Sequence, residues 1–247
     1  MKIMISPAKN MKINNDFFDY ESLPLFTNEA DKLYALLSKL SYNELKEVLQ
    51  ANDKITFWHY QNYQNFNNIA LSPAILCFNG IQYTYMSPLT FDDNQWKYVK
   101  ENVFILSAFY GLLRAMDGVK PYRLEMINPF SSFTFNNLYD FWKDKIQKAL
   151  YQNEDLVLNL CSSEYSRVVK PYLKKNQKFV SVFFYEMQDN KLRQKTVYLK
   201  MARGMMVRYL ASIHAKTIQD VQSFSMAGYQ YCDELSTETK LVFVRSK

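Results

Sequence analysis

Hydrophobic residues follow two rhythms along this chain, and the switches between them mark its elements. A short apolar run at Lys2–Ser6 predicts a strand that exits abruptly at Pro7. Over Ala30–Leu40, the leucines Leu33, Leu36, Leu37 and Leu40 recur at helical spacing. Ser41 and Glu44 then form the S-x-x-E pattern of a capping box, with Leu40 and Leu45 placed as a hydrophobic staple. A second helix therefore starts at Ser41 and runs to about Gln50. Asn52 and Asp53 offer a further break and cap before a third, aromatic-rich helix over Lys54–Phe66.

Beyond this helical section the rhythm alternates. Strands are predicted at Ala74–Phe78, Val103–Leu106, Leu156–Leu160, Lys178–Glu186 and Leu241–Arg245, with Thr196–Leu199 pairing as a hairpin arm. Helices are predicted at Asp92–Lys100, Leu138–Leu150 and Lys200–His214. Strands interleaved with helices predict an α/β core, and the late hairpin predicts a mixed (α+β-like) sheet flanked by helices. Residues 30–68 read as a helical insertion or cap on a single compact body spanning 1–247. With 247 residues, 48% of them hydrophobic, the chain has material for a substantial core. No apolar stretch reaches membrane-span length and none follows Lys2 as in a signal peptide, so a cytoplasmic protein without a membrane partner is expected.

Charge adds a partner class. Residues 1–100 hold nine lysines, no arginine and ten acids, a net of −1. Tyr165–Lys216 holds twelve Lys or Arg against Glu186 and Asp189, a net of +10. Such a clustered surplus is the footprint of an anionic partner, most simply nucleic acid, or else a solvated basic face. Cys77, Cys161 and Cys232 are odd in number and widely spaced, which predicts reduced, inert thiols in place of a disulfide framework. His59 and His214 have no ligand-spaced partners, so neither a metal nor any other cofactor is expected.

The candidate chemistry gathers at Leu106–Met126, LSAFYGLLRAMDGVKPYRLEM. Here a strand is expected to run into a loop shaped by Gly111, Gly118 and Pro121 and closing on Tyr122, Arg123 and Glu125. An extended segment places Arg123 and Glu125 on one face, as a phosphate-and-carboxylate pair or as a structural ion pair. Lys9 follows the Pro7 exit. Lys200 and Arg203 share a helix face beside Gly204, suiting a passing phosphate backbone, with Arg208 on a different face. Glu164 is a carboxylate partner for Lys9 or Arg123, while Ser162 or Ser163 reads as a helix cap. Gly80, Gly111, Tyr122 and Gly204 read as structural loop and close-approach positions. No glycine belongs to a phosphate-loop or dinucleotide fingerprint.

Seven motifs, in order, carry a resemblance: MKIMISPAK (1–9), FNGIQY (78–83), the 106–126 stretch, LYDFW (138–142), NLCSSEY (159–165), KMARGMMVR (200–208) and the late Gly228-Tyr229. Together they resemble the bacterial peroxide stress protein YaaA family across nearly the whole chain. Ala115 stands where that family usually has proline, and Cys161 where it has a small residue. The resemblance implies protection against hydrogen peroxide through reduced free intracellular iron, and binding to DNA. Ser41–Phe66 is similar in layout to the helix-hairpin-helix element the family is thought to use on DNA, without the glycine-containing hairpin. Two readings stand. In one, Lys9, Arg123, Lys200 and Arg203 bind DNA phosphates. In the other, the same cleft acts on a nucleotide or damaged base, with Glu125 or Glu164 as general acid or base. The aromatics Phe57, Trp58, Tyr60, Tyr63 and Phe66 read as core more readily than as a base-stacking platform.

Overall fold

The structure, a computed structural model, describes residues 1–130, 133–189 and 191–246. Its helices are α1 (Thr27–Leu37), α2 (Tyr42–Leu49), α3 (Asp53–Gln64), α4 (Ala74–Cys77), α5 (Ile81–Met86), α6 (Asp93–Asn102), α7 (Leu138–Trp142), α8 (Lys145–Leu150), α9 (Ser163–Ser166), α10 (Thr196–Ser212) and α11 (Ile218–Gln222). The strands are β1 (Lys2–Ile5), β2 (Asn10–Met11), β3 (Ser72–Pro73), β4 (Phe78–Asn79), β5 (Val103–Ser107), β6 (Gly111–Arg114), β7 (Gly118–Val119), β8 (Leu156–Leu160), β9 (Lys178–Gln188), β10 (Lys191–Arg193), β11 (Tyr229–Tyr231) and β12 (Lys240–Ser246).

Eight strands form one mixed sheet in the order β11-β12-β9-β8-β1-β5-β6, with β10 paired to β9. The inner strands β12, β9, β8, β1 and β5 are parallel, and the antiparallel β11, β6 and β10 finish its margins. The parallel strands are buried nearly throughout, hence their continuous apolar sequences; Ile3, Met4, Ile5, Val157 and Leu158 are inaccessible to solvent. This is the α/β architecture and mixed sheet that the alternating rhythm predicts. Counted along the chain, the five parallel strands stack as 2-1-3-4-5. The order reverses between β1 and β8, and open parallel sheets take ligands in the crevice outside the carboxyl ends of the strands at such a reversal.

Local signals set several helix starts. The Ser41–Glu44 capping box is formed, with the Glu44 carboxylate accepting from the Ser41 N–H at 2.8 Å. Asn52 caps α3 through the Ile55 N–H, and Asp92 caps α6 through that of Gln95. Residues 27–68 are helical through α1, α2, α3 and a 3-10 turn at Phe66–Asn68, beginning three residues before Ala30.

Four expectations are corrected. Ala74–Cys77 is a single helical turn, not a strand, because a short buried apolar run carries no period that separates the two. Thr196–Leu199 opens the long helix α10; the hairpin arm on β9 is Lys191–Arg193. Leu138–Leu150 is broken at Lys143, which sits at positive φ so that Trp142 can turn into the core and donate to the Ala108 carbonyl at 2.9 Å. The expected loop after Ser107 is instead the hairpin β5–β6. Gly111 starts β6 at φ +75°, and a Cβ there would lie 2.7 Å from the Trp142 ring.

Candidate functional site

The chain leaves β1 at Ile5 and β8 at Leu160, two neighbouring parallel strands, and both exits open onto one cleft of about 460 Å³. Ser6–Asn10 form one wall and Ser162, Glu164 and Tyr165 the next. The extended segment Tyr122–Glu125, the turn into α5 at Gly80–Tyr83, and Lys200 and Arg203 of α10 complete it. Lys9, Arg123, Lys200, Arg203, Glu125 and Glu164, spread over nearly two hundred positions of sequence, therefore line one concavity, with Gly80 and Tyr122 beside them. Gly111 lies elsewhere, against the Trp142 ring, and Gly204 works from behind. A Cβ on Gly204 would stand 2.1 Å from the Gln82 carbonyl, so glycine is what lets α10 lie directly on α5 and bring Arg203 to the cleft.

Glu125 sits at the centre of a charge cluster. Its Oε1 lies 2.8 Å from Lys9 Nζ and 3.0 Å from an Arg123 guanidinium nitrogen, and a second Arg123 nitrogen donates to the Lys9 carbonyl at 3.2 Å. The Arg123–Glu125 pair is the same-face arrangement expected of the extended segment, and both side chains are nearly buried. Asn128 Oδ1 accepts from the Glu125 N–H at 2.6 Å and holds the backbone beneath it. Tyr63 of α3 donates its hydroxyl to the Arg123 carbonyl, tying the helical section to this segment.

Glu164 departs from its expected role. Lys9 and Arg123 pair with Glu125, and Glu164 Oε1 accepts from the Met126 N–H at 3.0 Å. Burial first, and the neighbouring Glu125 charge second, push the Glu164 carboxyl above its ordinary value. Ser162 heads α9 without a side-chain cap; its N–H donates to Ser6 Oγ at 2.8 Å, joining the β1 and β8 exits. Tyr122 is buried with its hydroxyl 2.8 Å from Ser107 Oγ.

Three donors at this cleft make no hydrogen bond within the protein although they are buried: Arg123 Nε, Arg203 Nε and Gln82 Nε2. Burial also lowers the Arg203 guanidinium from its ordinary value. Unmatched buried donors are costly, and these three would be matched by an acceptor-rich group entering the concavity. Gln82 lies inside the FNGIQY motif yet was no candidate from sequence. A glutamine between Ile81 and Tyr83 carries no signal until α5 is seen to turn it into the cleft, only 6% exposed.

The basic band of Tyr165–Lys216 does not fold into one surface. Lys200 and Arg203 reach the cleft, but Arg208 donates to the Met86 and Ser87 carbonyls and to Thr90 Oγ1, closing the end of α5. Glu186, one of the band's two acids, is buried against Arg245 at 2.8 Å. The aromatic cluster also divides. Tyr63 and Phe66 are core as expected, while Phe57 and Trp58 are exposed.

The family described as peroxide stress protein YaaA matches residues 1–235 of this chain. The chain belongs to that family. It is 41% identical to a UPF0246 protein of Desulfitobacterium hafniense (strain Y51) over 247 residues, covering 100% of this chain and 98% of that protein. It is 42% identical over 245 residues to a UPF0246 protein of Limosilactobacillus reuteri (strain DSM 20016), covering 98% of each. A UPF0246 protein of Ligilactobacillus salivarius (strain UCC118) is 41% identical over 247 residues, covering both chains fully. The motifs that carry the sequence resemblance fall largely on the cleft: the β1 exit, the FNGIQY turn, the Tyr122–Glu125 segment, the β8 exit and the start of KMARGMMVR all border it.

Proposed function

We propose that this YaaA family member acts in the peroxide stress response by holding DNA at the switch-point cleft, with phosphate oxygens on Lys200, Arg203, Arg123 and Lys9. The three unpartnered buried donors of Gln82, Arg123 and Arg203 carry this reading, because a phosphate supplies the acceptors they lack. Charge agrees. Four cations face two carboxylates, Glu125 is held between Lys9 and Arg123, and Glu164 is biased toward its neutral form. Binding of duplex or structured DNA should be weakly sequence-dependent and salt-sensitive, each neutralised phosphate adding about −0.9 to the slope of log K against log salt. Replacing Lys200 and Arg203 together with Ala should weaken binding to every sequence and flatten that slope by roughly two. Unchanged affinity and slope would place the phosphate contacts elsewhere.

One observation favours a second, catalytic reading on a nucleotide or damaged base. Glu164 is a shielded carboxyl with a raised pKa at the mouth of a cationic cleft, the setting of a general acid. Under catalysis, Glu164→Gln keeps DNA affinity yet abolishes protection of cells from peroxide. Full protection by that variant returns the cleft to binding alone.

A further inference from the structure

The cations of the cleft stand at two depths. Lys9 and Lys200 are exposed, within reach of any strand that passes the mouth. Arg203, on the turn of α10 that Gly204 seats against α5, has its Nε buried. Other arginines of this chain are matched: Arg114, Arg123 and Arg245 each have a carboxylate oxygen at 2.8–3.0 Å. Among the described residues no carboxylate pairs with Arg203 and no acceptor meets it. The ionisable side chain that bears on it is the Cys161 thiol, which burial pushes up to about 12 and so leaves uncharged at neutral pH. A buried cation without a counter-charge is costly, and this one shares the cleft with two further unmatched donors, Gln82 Nε2 and Arg123 Nε. The inner end of the cleft thus lacks one anion that carries several acceptor atoms.

Phosphates differ in how they can meet such donors. Inside a strand a phosphate has sugar on both sides, two free oxygens and a single negative charge; it can lie across exposed lysines, but its two ester links keep it from entering a pocket end-on. A phosphate at a strand end or on a free nucleotide has one ester link, three free oxygens and about −1.5 to −2 charges at pH 7. It can enter end-on and offer an oxygen to each unmatched side chain, the two guanidinium groups binding as forks. The cleft, at about 460 Å³, also has the size of a small-ligand site. We propose that its inner end is a phosphomonoester pocket, in which Arg203, Gln82 and Arg123 bind the terminal phosphate of a DNA strand or of a free nucleotide. This rests on the cleft being a phosphate site and adds which phosphate it selects, a terminal one over an internal one.

Three duplexes of one sequence test this: one with phosphorylated ends, one with hydroxyl ends, and one closed at both ends by hairpin loops. The phosphorylated duplex should bind about ten-fold more tightly than the other two, the effect of roughly one charge-assisted hydrogen bond. Gln82→Leu removes a donor without changing the charge of the cleft, and Arg203→Lys keeps a cation but loses the fork. Each should cost the phosphorylated duplex about ten-fold more than the closed one, so that the preference disappears. A folded variant, with Tm unchanged, that keeps the preference overturns the pocket. A second measurement needs no variant: deoxyadenosine 5′-monophosphate should raise the Tm of the parent protein by mass action, and deoxyadenosine should not. Preference for phosphorylated ends assigns the pocket to strand ends; a Tm rise with the nucleotide and no preference among duplexes assigns it to free nucleotides. If the three duplexes bind alike and the nucleotide leaves Tm unchanged, the pocket is wrong, while salt-sensitive binding of the closed duplex leaves DNA in the cleft. If the nucleotide binds and no duplex does, the pocket stands and DNA binding falls.

Discussion

Glu164 and Glu125 are both carboxylates at one cleft, and their surroundings give them different work. Glu125 has two cationic partners and a fixed backbone, which suits it to hold Arg123 and Lys9 in place. Glu164 has one backbone N–H and a neighbouring negative charge. A carboxyl raised by folding binds its proton more tightly in the native state than in the unfolded chain. Its contribution to stability is therefore full below the ordinary carboxylate value and is lost as pH rises through the raised native value. Glu164→Gln retains an acceptor for the Met126 N–H without the buried charge. Thermal melts across pH should show the variant more stable than the parent at pH 7, by a margin that closes toward pH 4. A variant equally destabilised at both pH values would mean that packing around Glu164, not its charge, dominates the site.

The same distinction between contact and support governs the elements. Helix α10 crosses α5 so closely that the Gly204 Cα faces the Gln82 carbonyl, and this crossing aims both Arg203 and Gln82. Gly→Ala within a helix normally stabilises it by about 0.5–1 kcal/mol. Here the added methyl meets backbone, so Gly204→Ala should destabilise by about 2–3 kcal/mol, lowering Tm by roughly 5–10 °C in a chain of this length. It should also weaken DNA binding although Gly204 touches no ligand. A calorimetric melt showing an unchanged or higher Tm would refute the crossing. How far such features are legible in sequence depends on their range. The Ser41–Glu44 and Asn52 caps, the strand exit at Pro7 and the Arg123–Glu125 alternation are local, and each was readable. The break at Lys143 and the turn at Ala74 were not, because Trp142 packed against Gly111 and burial at β3–β7 decide them across distance. The six charged site residues were visible as types at loop and helix starts. Their convergence was not, since it depends on β1 and β8 being neighbours in the sheet. Gln82 and the exposure of Trp58 follow from the same tertiary placement.

At the scale of the whole molecule, a peroxide stress role has to be reconciled with what this chain can do to peroxide or iron. Two of its thiols are poor reagents: Cys77 and Cys161 are buried, and burial pushes both up to about 12, so at neutral pH neither offers a thiolate to peroxide. Among the described residues, no group of three or more His, Cys, Asp or Glu side chains gathers closely enough to hold a metal ion. His59 is held neutral against Arg123, and Glu125 is already committed to two cations. Iron entering the cleft would face four positive side chains, an unfavourable approach for a dication. Protection is therefore expected to act at the DNA, where iron and peroxide do their damage, and not by storage of the metal. Protein purified without oxygen should carry no stoichiometric iron, and added ferrous iron should leave Tm unchanged, since a ligand that binds the native state raises it by mass action. Tight iron at one equivalent per chain, lost in a Glu125→Gln and Glu164→Gln double variant, would instead make this cleft an oxygen-ligand metal site and displace DNA as its occupant.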